Sequence, residues 1–256
     1  MAYFIYQGHA CYYEELGVGS PLLLLHGNTA SSKMFEGIAE EYSKKHRVYL
    51  IDFLGHGRSE RLERFPVDLW YDEAQQVITF LKEKDLYEVD LIGCSGGSLV
   101  AINVALEVPE RIKKVIADSF EGEVPLKAIT DHIAEERAQS KTDENAKMFY
   151  YYMQGEGWEQ VVDNDTNAII EHEKTIGKFF HKSLETLKAD ILLTGSKEDE
   201  FVNAMGEDYF EKTYRGMIEK IGHGELHLFE KGNHPAMLSS TEEFIEKSEQ
   251  FLNGNE

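Results

Sequence analysis

The chain has 256 residues, 42% hydrophobic and 29% charged, enough for one large domain or a domain carrying an insertion. A net charge of -21 argues against nucleic acid and anionic membrane surfaces as partners. Two cysteines, Cys11 and Cys94, exclude a disulfide framework and suit a reducing, cytoplasmic setting.

The first residues hold no basic run and no long apolar stretch, so neither a signal peptide nor membrane insertion is expected. Residues 2–6 and 9–14 alternate as two short strands around a Gln7-Gly8 turn. Leu22-Leu23-Leu24-Leu25 is a continuous apolar run, the pattern of a strand covered on both faces. It ends at His26-Gly27-Asn28-Thr29-Ala30-Ser31, and Ser31 or Ser32 is placed to cap a helix running to about Lys45. Val48-Tyr49-Leu50-Ile51 is a second buried strand, ending at Asp52-Phe53-Leu54-Gly55-His56-Gly57-Arg58-Ser59. Asp68 is placed to cap a helix containing Ala74, Val77, Ile78, Leu81 and Leu86.

Residues 88–93 form the next strand, and Leu99, Val100, Ile102, Val104, Ala105 and Leu106 recur at helical spacing after it. Between them lies Gly93-x-Ser95-x-Gly97. A serine on so tight a strand-to-helix turn points its hydroxyl out of the sheet, beside the positive end of a helix. Val115-Ile116-Ala117 is a further core strand, ending at Asp118-Ser119. Strands alternating with helices predict an α/β fold with a mostly parallel sheet and helices on both faces.

From Glu121 to Lys182 that pattern breaks. No apolar strand occurs there, and the segment reads as three or four helices rich in Glu, Lys and aromatics. Phe149, Tyr150, Tyr151, Tyr152, Trp158, Phe179 and Phe180 are assigned to packing. The predicted division is a core of residues 1–120 and 183–256 and a helical cap of 121–182. Alternation resumes with a strand at Ile191-Leu192-Leu193-Thr194-Gly195, a helix over about 203–222, a strand at Leu226-His227-Leu228-Phe229 and a helix over about 236–252.

A serine hydroxyl needs a base within hydrogen-bond reach, and the base needs an acceptor that fixes its tautomer. In open parallel sheets such groups gather beyond the carboxyl ends of the strands. Among ten histidines, His234 stands just after the last strand, in Lys231-Gly232-Asn233-His234-Pro235. His227 lies within that strand and reads as a packed or edge residue. After the preceding strand, Asp199 is the acid candidate, with Glu198 beside it and Asp118 on its own strand end as alternatives. The oxyanion donors expected are the backbone amides of Gly96 and Asn28, with His26 and Gly27 shaping the loop. The zinc-type His-Glu-x-x-His pattern is absent and no glycine-rich nucleotide loop follows a strand, so neither metal nor organic cofactor is expected.

The order Ser95…Asp199…His234, with His26-Gly27-Asn28 upstream and Gly93-x-Ser95-x-Gly97 between, resembles the α/β-hydrolase superfamily. Asp52-Phe53-Leu54-Gly55-His56-Gly57-Arg58-Ser59 is similar to the Asp-x-x-Gly-x-Gly-x-Ser segment of its lipase- and esterase-like branch. The resemblance implies an eight-stranded sheet with a helical cap after the sixth strand. It also implies a Ser-His-Asp hydrolase of a small-molecule acyl substrate, most simply a carboxylic ester. Asp199 follows Gly195 by four positions where three is common in the family, which keeps Glu198 in contention. Similar residue sets serve carbon–carbon bond hydrolases, perhydrolases and non-catalytic receptors of this fold. The sequence is compatible with a homodimer.

Overall fold

Eight strands form one sheet: β1 (Ala2–Tyr6), β2 (His9–Leu16), β3 (Ser20–Leu25), β4 (His46–Ile51), β5 (Val89–Cys94), β6 (Ile112–Asp118), β7 (Asp190–Ser196) and β8 (Glu225–Phe229). The computed structural model describes residues 2–200, 205–206 and 208–254. The strand order is β1-β2-β4-β3-β5-β6-β7-β8. β1 pairs antiparallel with β2, and β2 with β4; every other pairing is parallel. After β3 the chain moves to β4 on one side, then crosses to β5 on the other. The crevice beyond the ends of β3 and β5 is therefore a topological switch point, where such sheets place their sites.

The leucine run of β3 shows why the sheet is covered twice. Leu23 and Leu25 join one apolar core, while Leu22 and Leu24 join the other, all four fully buried. The first core is closed by α2 (Leu69–Glu83), α3 (Gly96–Glu107) and, later in the chain, α8 (Tyr209–Ile221). The second is closed by α1 (Ile38–Tyr42), α9 (Ala236–Ser239) and α10 (Thr241–Asn253). Burying one such leucine stabilises the fold by roughly 1.5–3 kcal/mol. α3 is buried from Gly96 to Leu106, because it packs on β5 and β6 and is covered by α2.

Four helices lie between β6 and β7: α4 (Lys127–Thr130), α5 (Ile133–Ser140), α6 (Glu144–Gln154) and α7 (Trp158–Thr175). Asp143 caps α6 by accepting from the Ala146 amide at 2.9 Å. Tyr150, Trp158, Phe179 and Phe180 are buried, as packing residues should be. Phe149, Tyr151 and Tyr152 are exposed, so the packing assignment fails for those three. Among the described residues no helix is long and apolar enough to cross a membrane.

Several local expectations need correction. The helix expected after Ser31 is split: a 3-10 turn spans Ser32–Phe35, and α1 starts only after Gly37, whose φ of 84° breaks helical geometry. Neither serine caps by its side chain. The Ser31 hydroxyl donates to the Met153 carbonyl at 2.9 Å, and the Ser32 amide is taken by Asp52 Oδ1 at 2.7 Å. Asp68 precedes α2 but spends its carboxylate on His181 Nε2, 2.6 Å away, and Leu86 lies beyond the helix end. In both places a long-range partner outcompetes the local cap. The helix expected over 203–222 is seen as Tyr209–Ile221; residues 203, 204 and 207 lie outside the described residues. The last helix is two, interrupted at Ser240.

Candidate active site

Ser95 sits between β5 and α3 with φ 54° and ψ -123°, a conformation that non-glycine residues rarely adopt. Its glycine neighbours explain how the turn closes. A Cβ on Gly93 would lie 2.3 Å from the Gly97 carbonyl oxygen, and one on Gly97 would lie 2.1 Å from the Leu25 carbonyl oxygen. The Ser95 amide donates to the Asp118 carbonyl at 2.8 Å, tying the turn to β6.

His234 Nε2 is 3.0 Å from Ser95 Oγ, and His234 Nδ1 is 2.9 Å from Asp199 Oδ2. With its proton on Nδ1, the imidazole donates to the carboxylate and accepts from the hydroxyl. Asp199 is fully buried beyond β7. The neighbouring acids do other work: Glu200 Oε2 accepts from the His234 amide at 3.0 Å, and Glu198 Oε2 from the Gly232 amide at 3.4 Å. All three consecutive acids thus engage the loop that carries His234. Asp118 is also fully buried, but its oxygens are occupied by Thr194 Oγ1 at 2.7 Å and the Met237 amide at 2.9 Å. Burial pushes its carboxyl up to about 6. Asp118 therefore braces the segment after His234 through the Met237 amide. Cys94, next to the serine, is fully buried, and burial raises its thiol well above the usual range.

The loop after β3 runs against this turn. A Cβ on Gly27 would stand 3.0 Å from Ser95 Cβ, and one on Gly96 only 2.1 Å from Asn28 Oδ1. The Asn28 side chain is held at both ends: Oδ1 accepts from Trp70 Nε1 at 3.1 Å, and Nδ2 donates to Asp165 Oδ2 at 2.7 Å. Its amide group is committed to those partners. His26 shapes the loop, with Nδ1 2.9 Å from the Gly27 carbonyl and Nε2 accepting from the Phe53 amide at 3.1 Å. The Asp52 segment is closed on itself, since Asp52 Oδ2 accepts from the Arg58 amide at 2.8 Å.

A cavity of about 50 Å³ opens beside Ser95 and His234, walled by Trp70, Leu99, Phe120, Glu121 and Phe210 among others. It is small beside the several hundred Å³ of a drug-sized pocket. Trp70, Glu121 and Asp165 escaped the sequence reading. Trp70 and Asp165 sit on ordinary amphipathic helices, where no spacing marks them. Glu121 follows a strand end by three residues, and that position was its only signal. His227 lies in β8 with its ring 4.7 Å from Phe229, a packed edge residue as expected. Among the described residues no three His, Cys, Asp or Glu side chains gather to hold a metal ion.

The model of a protein family described as alpha/beta hydrolase fold matches residues 20–152, just over half of the chain. A pimeloyl-[acyl-carrier protein] methyl ester esterase from Nitrosomonas europaea is 30% identical over 103 residues, 40% of this chain and 38% of that protein. A 2-hydroxymuconate semialdehyde hydrolase from Pseudomonas sp. strain CF600 is 31% identical over 107 residues, 40% of this chain and 37% of that protein. The chain thus aligns with under two-fifths of the length of these curated relatives. Among solved structures, an esterase from Exiguobacterium antarcticum superposes with a TM-score of 0.75 at 18% identity, covering 96% of this chain and 97% of that one. An enol-lactonase from Burkholderia xenovorans gives 0.74 at 14% identity, covering 99% and 100%. At such identities the likeness shows the fold alone. With this sheet order and that family match, the chain belongs to the α/β-hydrolase fold family.

Proposed function

We propose that the chain is a serine hydrolase of small carboxylic esters acting through an acyl-enzyme. Ser95 attacks the acyl carbonyl. His234 takes its proton and returns it to the leaving alcohol, while Asp199 orients the ring and stabilises the imidazolium. The Gly96 and Asn28 amides receive the oxyanion, and each such donor typically contributes about 3 kcal/mol. Water, activated by His234, then releases the acid.

The observation that carries this reading is the unbroken chain of contacts from Ser95 Oγ through His234 to buried Asp199, at 3.0 and 2.9 Å. The partial likeness to an esterase supports it. The helices α4 to α7 are read as a cap over the site, since they include Asp165, which bonds to Asn28. Free, buried Cys11 and Cys94 support a cytoplasmic setting. A fluorophosphonate probe tests the assignment: labelling at Ser95, lost in Ser95→Ala together with ester hydrolysis, is expected. An unlabelled, folded protein would overturn it.

A second reading is hydrolysis of a carbon–carbon bond by the same three residues, favoured by the partial likeness to a 2-hydroxymuconate semialdehyde hydrolase. Turnover of a vinylogous 1,5-diketone in place of simple esters would select it.

A further inference from the structure

Glu121 stands in the wall of the cavity that holds Ser95 and His234. Its backbone carbonyl accepts from Tyr209 Oη at 2.7 Å, and its Oε2 accepts from the Leu126 amide at 2.7 Å. Main chain and carboxyl group are thus both fixed. Among the described residues no protein donor is bonded to Oε1. The wall around it is largely apolar, with Leu99, Phe120, Ile129 and Phe210. Burial pushes the carboxyl up to about 7, against the opposing pull of the Leu126 amide and of His234.

A ligand group that packs against Oε1 shields it from solvent. An apolar ligand leaves that oxygen dry and unpaired, which costs about 1–3 kcal/mol. A hydroxyl or ammonium group removes the cost and adds a charge-assisted hydrogen bond. The net charge of -21 also concentrates cations near the protein. A site with a fixed polar group discriminates against isosteres that lack its partner far better than an apolar pocket discriminates by size.

We propose that Glu121 is the specificity residue of this site, and that the substrates are small esters carrying a hydrogen-bond donor, a hydroxyl or an ammonium, on the part that enters the cavity. This inference rests on the hydrolase reading above. The test is kcat/KM on isosteric substrates. Methyl butanoate is compared with methyl 3-hydroxypropanoate and methyl 3-aminopropanoate, and propyl acetate with 2-hydroxyethyl acetate. The wild-type protein is expected to prefer a donor-bearing member of at least one series by about tenfold or more. Glu121→Leu, or Glu121→Met should the leucine variant not fold, abolishes the preference. Glu121→Gln keeps a preference for hydroxyl and loses one for ammonium. Equal kcat/KM within both series, or a preference that survives the apolar replacement, overturns the inference and leaves the hydrolase reading standing. Absence of both hydrolysis and fluorophosphonate labelling overturns the hydrolase reading and this inference with it.

Discussion

Asp165 accepts a hydrogen bond from the Asn28 side chain at 2.7 Å, joining α7 to the loop after β3. Arg137 of α5 strengthens the junction, donating to Thr29 Oγ1 at 2.9 Å and lying 3.6 Å from Asp165 Oδ1. Burial raises the Asp165 carboxyl, while Arg137 and the Asn28 amide group pull it back. The helices between β6 and β7 thus hold the loop proposed to bind the oxyanion.

On the proposed function, Asp165 acts as a positioning residue. Asp165→Ala leaves the Asn28 Nδ2 donor without its acceptor, at about 1–3 kcal/mol. We expect kcat to fall roughly tenfold or more with KM little changed, and Asp165→Asn to restore most of it, because the new amide oxygen still accepts from Asn28. Steady-state kinetics read beside Tm check this. Equal loss in both variants, tracking Tm, would mean a purely structural role.

The three neighbouring acids should separate sharply. Asp199→Asn disturbs the tautomer of His234 and is expected to lower kcat by about 10³–10⁴-fold. Glu198→Gln and Glu200→Gln alter contacts to backbone amides of the His234 loop and should cost at most about tenfold, a hydrogen bond's worth. Single-turnover hydrolysis of p-nitrophenyl acetate by the three variants provides the comparison.

Adjacent glycines should fail in different ways. A methyl on Gly97 meets the Leu25 backbone oxygen at 2.1 Å, so Gly97→Ala strains the sheet and should lower stability by about 1–3 kcal/mol or more. A methyl on Gly96 meets Asn28 Oδ1 at 2.1 Å, a side-chain atom that can swing away from Trp70 and Asp165. Gly96→Ala should therefore cost activity out of proportion to its loss of Tm. Urea unfolding and kinetics on the same preparations distinguish the two.

Stability should respond to pH from opposing groups. Burial raises Glu121 to about 7 and Asp118 and Asp90 to about 6, and places Glu73 well above its usual range. In the range between their unfolded and folded values the folded state holds more protons, so these acids stabilise it as pH falls. Burial lowers His26, His46 and His56, so below about 6.5 the unfolded state takes up protons that the folded state refuses. Tm is expected to rise from about pH 8 to about 6.5 and then level off. The rise should shrink in Glu121→Gln, as thermal scans across a buffer series would show.

Much of this arrangement was legible in the chain itself. Apolar runs reveal β3 to β7, and residues just past strand ends include Ser95, Asp199 and His234. Helix starts were less legible: Ser31 and Asp68 look like caps, yet their side chains bond to Met153 and His181 over a hundred positions away. Cavity walls were least legible, because Trp70 of α2 and Glu121 of the loop after β6 line one cavity only when elements far apart in sequence pack on one rim. Periodicity reports which face of an element is buried, and says nothing of which buried groups converge.

Gln154, at the end of α6, donates to the Thr29 and Ala30 carbonyls at 2.9 and 2.8 Å and accepts from the Gly57 amide at 2.6 Å. One side chain therefore staples two loops of the sheet to the inserted helices. Such an insertion is not a freely exchangeable module. A chimera carrying the corresponding helices of another family member would have to bring its own equivalent of Gln154, or retune both loops, before the hybrid could work.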